Sequence, residues 1–140
     1  MTPYQNIYDI FEGMITDYDL NDLIPENKAE VELRLLKQAI STYFSSSQDL
    51  SQRDDATFIF NIDISEIKQQ ILANYMVMAW VKPYLNNQDL FETHFSTSEY
   101  NAFSSANKMR ALKETFLLAS SEAGRLATKQ SIKEVLGGLG

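Results

Sequence analysis

The chain is 140 residues long, 44% hydrophobic and 22% charged, a length and balance suited to one globular domain with a substantial core. It has no cysteine and a single histidine, His94, which excludes disulfide frameworks, thiolate chemistry and metal sites built on sulfur or on several imidazoles. Twelve Lys and Arg against 19 Asp and Glu give a formal charge of −7, opposite in sign to the footprint of a protein that grips nucleic-acid phosphates.

Helical periodicity dominates from the start. Over residues 2–15, Tyr4, Ile7, Tyr8, Ile10, Phe11, Met14 and Ile15 form one apolar stripe, with Thr2 reading as N-cap and Pro3 as the first helical residue. Residues 1–13 carry no Lys or Arg and no unbroken apolar run, so a secretory signal is not expected. The longest apolar run, YMVMAWV at 75–81, falls well short of the ~20 residues a membrane span needs. A soluble protein made in the cytoplasm is therefore expected.

Residues 16–24 form a polar linker, and Pro25 opens a second helix reaching Ser45. Ala29, Leu33, Leu36, Ile40 and Tyr43 step by four, three, four and three, widened by Leu35, Ala39 and Phe44. Glu26, Glu30 and Glu32 sit in its first half, where the helix dipole favours negative charge. At 57–62, Phe58, Phe60 and Ile62 alternate with Thr57, Ile59 and Asn61, an extended segment rich in β-favouring types. Its partner stays open: a tucked segment, an unidentified hairpin strand, or another subunit.

Asp63 and Glu66 have capping-box spacing ahead of a third helix over 64–82. Ile64, Ile67, Ile71, Tyr75 and Met78 make one face; Leu72, Met76, Val77 and Trp80 make another, so the helix is apolar nearly all round and should be central. Pro83 is expected to limit it. A short helix from Asn86 through His94 and a second capping box, Ser96 to Glu99, precede a last helix over 104–136. Its stripe is Ala106, Met109, Leu112, Phe116, Ala119, Ala123 and Leu126, with Ile132, Val135 and Leu136 beyond and Gly137-Gly138 as the stop. The fold class is mainly α: a small helical bundle with a long C-terminal helix and one short extended segment. Residues 1–126 read as a body and 127–140 as a C-terminal extension.

Few residues suggest chemistry. An EF-hand loop starting at Asp17 would need glycine at its sixth position and glutamate at its twelfth, where Asp22 and Lys28 stand, so the acidic turn reads as a solvated loop. His94 has Glu92, Asp89 and Glu99 nearby but no nucleophile signature, and reads as structural. No catalytic residue, cofactor or metal ligand is assigned, and the expectation is a non-enzymatic protein. Trp80, Tyr84 and Lys82 around Pro83 suit either a recognition patch or core packing. Arg110, Lys113, Arg125, Lys129 and Lys133 place five of the twelve basic residues late in the chain, suiting a docking helix for an acidic protein partner.

The run LLKQAISTYFSSSQDLSQRDD, then FNIDISEIKQQILANYMVMAWVKPYLNNQDLF, then FSTSEYNAFSSANKMRALKETFLLASSEAGRLATK resembles head–tail connector (neck adaptor) proteins of tailed phages infecting Gram-positive bacteria. The matching residues are Asp49-Leu50-Ser51 with Arg53-Asp54, Glu66-Ile67, Ile71-Leu72-Ala73, Met76-Val77, Trp80-Val81 with Pro83, then Tyr100, Ser104, Ala106 and Leu112. They are packing and capping patterns spanning about residues 33–129; Val81 and Tyr100 replace the commoner leucine and phenylalanine. The resemblance implies a virion structural protein of the neck. It would form a ring of about twelve copies under the portal protein, extend the DNA channel without binding the genome specifically, contact other neck or tail proteins, and need neither membrane nor cofactor. Phe58, Phe60, Ile62, Tyr75, Met76, Trp80 and Tyr84 are then expected between subunits. Arg125, Lys129, Ile132, Lys133, Val135, Leu136 and Leu139 are expected at the portal. A head-closure or tail-completion protein, or a free-standing acidic helical regulator, is the alternative.

Overall fold

The computed structural model describes residues 1–15, 25–42, 49–86 and 102–139. The acidic turn around Asp17 and Asp22, Tyr43, Phe44, His94 with its short helix, and the second capping box lie outside the described residues. The fold is mainly helical, as expected. In chain order it has β1 (Thr2–Pro3), α1 (Tyr4–Met14), α2 (Pro25–Thr42), β2 (Arg53–Asp54), β3 (Ile59–Phe60), α3 (Glu66–Asn86) and α4 (Ala102–Leu139).

The all-round apolar helix is central. α3 packs against α1, α2 and α4, and buries Ile71, Leu72, Ala73, Met76, Val77, Trp80 and Val81 among them. Tyr4, Ile7 and Phe11 of α1 and Leu35, Leu36 and Ala39 of α2 complete one core with Leu112 and Leu126 of α4. Of the residues the stripes single out, Leu36, Ile71 and Leu112 are fully buried, while Ile40, Tyr75 and Phe116 pack against the core from its edge. Ala29 is exposed. The buried face of α2 is instead Glu32, Leu35, Leu36 and Ala39, a spacing of three, four and seven from Glu32. Lys68 at the start of α3 pairs with Glu134 near the end of α4 at 3.1 Å, whereas Phe116 shares a groove with Tyr75 and Asn86; the two helices run antiparallel.

The extended segment finds its partners within the chain. β3 is the middle strand of a three-stranded antiparallel sheet in the order β1-β3-β2, with Thr2 opposite Phe60 and Arg53 opposite Phe60 on the other side. β1 and β2 are two residues each, too short to show alternation in a sequence. The Asp49–Asp55 stretch is a folding device: Asp49 Oδ1 accepts the Ser51 amide at 3.0 Å, and Arg53 donates to the Leu50 carbonyl at 2.9 Å. Asp54 Oδ1 accepts the Ala56 amide at 2.8 Å and the Thr57 amide at 3.3 Å, closing the turn into β3. Asp55 receives the Tyr4 hydroxyl at 2.5 Å, and pairs with Arg53 at 3.2 Å and Lys37 at 3.6 Å, tying the hairpin to α1 and α2. The Tyr4 hydrogen bond, with Arg53 and Lys37 behind it, holds the Asp55 carboxyl below the usual range.

Four boundaries differ from expectation, each for a tertiary reason. Thr2 does not cap α1: it lies in β1, its hydroxyl accepts the Ile64 amide at 2.9 Å, and Pro3 stands at the N-cap with φ −66° and ψ 142°. Asp63 does not cap α3, because it ion-pairs with the Met1 amino group; Ser65 Oγ accepts the Lys68 amide at 3.3 Å instead. α3 runs through Pro83 to Asn86, the proline coming one turn from the end, where a single lost amide hydrogen bond is tolerated, and the Trp80 and Tyr84 rings meet edge-on at 5.9 Å. α4 takes in Gly137 and reaches Leu139, making it 38 residues and roughly 57 Å long.

Candidate functional site

The residues expected between subunits fall into two groups. Phe60, Met76 and Trp80 belong to the chain's own core, with Phe60 and Met76 wholly buried. That is the correction to the sequence reading: three helices surround α3, so its extra apolar face is covered within one chain, and Phe60 is held between β1 and β2. Ile62, Tyr75 and Tyr84 are half-buried at the edge of the core, and Phe58 is exposed.

Among the described residues, most of the exposed large apolar side chains are on α4. Leu117 and Leu118 are 66% and 71% exposed, and Ile132, Val135 and Leu136 are likewise exposed. At about 100° per residue these five fall within one sector of roughly 100°. Leu112, Ala119, Ala123 and Leu126 are buried on the opposite side. The inward side carries two alanines where the outward side carries two leucines, so α4 meets α3 through small residues and points large ones away. Between the two outward groups, about 27 Å apart along the axis at 1.5 Å per residue, lie polar Ser121, Arg125 and Thr128.

Among the residues expected at the portal, Lys129, Ile132, Lys133, Val135 and Leu136 are exposed, and Leu139 has no described side chain. Arg125 is engaged by Glu122 at 2.5 and 3.0 Å, which holds the Glu122 carboxyl low. The 127–134 stretch does not leave the body: Ala127 packs on the core and Glu134 reaches Lys68. A groove of about 310 Å³ lined by Met14, Val77, Thr115 and Leu118 opens beside the first outward group. Exposed leucines of this kind carry no signal in a helical stripe analysis, because FLLA at 116–119 reads as a continuous apolar run.

Among the described residues no group of three or more His, Asp or Glu is placed to hold a metal ion, and no helix is long and apolar enough to cross a membrane. Comparison of the chain with protein-family models, curated proteins and solved structures gives no match.

Proposed function

We propose that this chain is a virion structural subunit, a head–tail connector that forms a ring under the portal protein and continues the DNA channel toward other neck and tail proteins. The observation that carries the reading is the outward face of α4, with five exposed apolar residues in two groups on the side opposite the core. Clustered exposed apolar side chains of this kind mark contacts with another protein. A ring built head to tail needs two complementary surfaces on each subunit, and the chain has apolar ridges on α4 and a groove beside Leu118. The segment order and the Asp49–Asp54 turn motif resemble those of neck adaptors. About twelve copies at −7 each would sum to roughly −84 for the ring as a whole, a field that repels DNA phosphates. An acidic free-standing regulator would instead gather its carboxylates on one exposed patch. A head-closure or tail-completion protein would use it in a different layer of the same neck.

The test is assembly of the full chain, alone and with portal protein, followed by native mass spectrometry and electron microscopy. Wild type should give rings or portal-bound rings. L117S/L118S and I132S/L136S should keep the helical signal and thermal midpoint of the wild type, the first losing ring formation and the second losing attachment to the portal. Unchanged assembly of both variants refutes the reading.

A further inference from the structure

α1, the first half of α2 and the tip of the β2–β3 hairpin line an open cavity of about 550 Å³, bordered among others by Tyr8, Glu12, Lys28, Glu32, Phe58 and Ile59. It lies apart from the outward face of α4. Two groups in its wall are unusual. Glu32 is 5% exposed and Tyr8 is 7% exposed, yet the Glu32 Oε2 and the Tyr8 hydroxyl have no hydrogen-bond partner among the described residues. Buried polar atoms are almost always partnered, so two orphans in one cavity wall point to a group that is bound there.

The surroundings define its chemistry. Glu12 is already engaged, by Lys28 Nζ at 2.8 Å and by a hydrogen bond with Glu32. Asp9 adds a third carboxyl near Glu32, so one lysine faces three acids and the site disfavours anions. A metal ion would find a carboxylate already spent on lysine. A neutral alcohol would satisfy the oxygens and leave the charge. Phe58 completes the picture: it holds a φ of 59°, a strained value for a residue with a bulky side chain, and its ring is exposed at the cavity rim, edge-on to Tyr4 at 6.1 Å. Acceptor oxygens at depth and an aromatic face at the mouth suit a flat, weakly hydrated cation with several donors.

We propose that this cavity binds a guanidinium group, as presented by an arginine side chain, with Glu32 and the Tyr8 oxygen accepting its N–H donors and the Phe58 ring covering its plane. The proposal is independent of the connector reading. Burial first, then the neighbouring Glu12 and Asp9, push the Glu32 carboxyl up to about 7 against the opposing pull of Lys28, so binding a cation there displaces a proton. The ionised fraction then rises from about 0.1 at pH 6 to about 0.9 at pH 8, and affinity should rise about tenfold with it.

The experiment is a 1H–15N titration of the full chain with N-acetyl-arginine amide, against the neutral isostere N-acetyl-citrulline amide. The expected result is saturable shifts at the amides of Tyr8, Glu32 and Phe58, about tenfold tighter at pH 8 than at pH 6, with no saturable response to the citrulline probe. Glu32→Gln should weaken binding at least tenfold and abolish its pH dependence. Phe58→Gly relieves the positive φ, so it keeps the fold, and should weaken binding several-fold. No saturation at pH 8 up to roughly 50 mM probe, an equal response to citrulline, or an affinity flat with pH overturns the proposal.

Discussion

Replacing Glu32 by glutamine removes a buried ionisable group and keeps its shape. The carboxyl lies on the buried face of α2 beside Glu12, with Asp9 and Tyr8 facing it from α1 and Lys28 one turn away on its own helix. Its pKa in the fold, about 7, stands above its ordinary value of 4.5. Between those values the native state keeps a proton that the unfolded chain has released, so stability falls as pH rises through this window and the full deficit is present above it. A shift of that size corresponds to about 3 kcal/mol for the Glu12–Glu32 pair as a unit. Glu32→Gln should therefore match the wild type near pH 4.5 and become progressively more stable than it by pH 8. Urea unfolding followed by far-UV circular dichroism reads this directly: at a slope of about 2 kcal/mol per molar, the midpoints should separate by about 1–2 M at pH 8. Other titrating groups are common to both proteins and cancel in the difference. A gap between the two midpoints that stays constant from pH 5 to pH 8 would falsify the assignment of a raised Glu32.

Thr2→Val leaves the buried Ile64 amide without its acceptor and should cost about 1–3 kcal/mol, with faster hydrogen exchange at Ile64 as the local signature. Deleting residues 135–140 keeps the Lys68–Glu134 pair, which a cut at residue 131 would break. The shorter deletion should leave the thermal midpoint within a few degrees of wild type and, on the connector reading, weaken attachment to the portal. Unchanged portal occupancy removes the docking role from the end of α4.

What could be read from the sequence follows from how local each cause is. The four long helices declare themselves through stripes set by 3.6-residue periodicity, and α3 through apolar residues on every side. Helix starts are not legible locally because the best cap oxygens are claimed from elsewhere: the Thr2 hydroxyl serves an amide 62 residues away, and Asp63 serves the chain's own amino group. The sheet was half legible, since β3 alternates while its two partners are dipeptides without any pattern. Glu32 looks like its neighbours Glu26 and Glu30 when read as dipole charge. Its spacing to Leu35, Leu36 and Ala39 was the available sign that it lies on the buried face. The interface assignment of Met76 and Trp80 rests on apolar excess around one helix, and that of Phe60 on a strand without a visible partner; the neighbours that cover all three are supplied only by the fold.

The pattern on α4 then acquires a sharper meaning. Burying a leucine contributes about 2 kcal/mol, and Ala119 and Ala123 occupy inward positions on α4 while Leu117 and Leu118 stand outside. A helix shaped only by its own core would place them the other way round. The polar stretch through Ser121, Arg125 and Thr128 divides the outward face, so its two ends are suited to two contacts about 27 Å apart. On the connector reading, Leu117 and Leu118, beside the Met14–Val77 groove, face the neighbouring subunit, and Ile132, Val135 and Leu136 face the portal. The two contacts should separate experimentally. L117S/L118S should abolish ring formation by the isolated chain, whereas I132S/L136S should leave rings intact and lose the portal. Native mass spectrometry of each variant with and without portal distinguishes them. Identical defects in both variants would mean one continuous interface, and the assignment of two partners to this helix would be wrong.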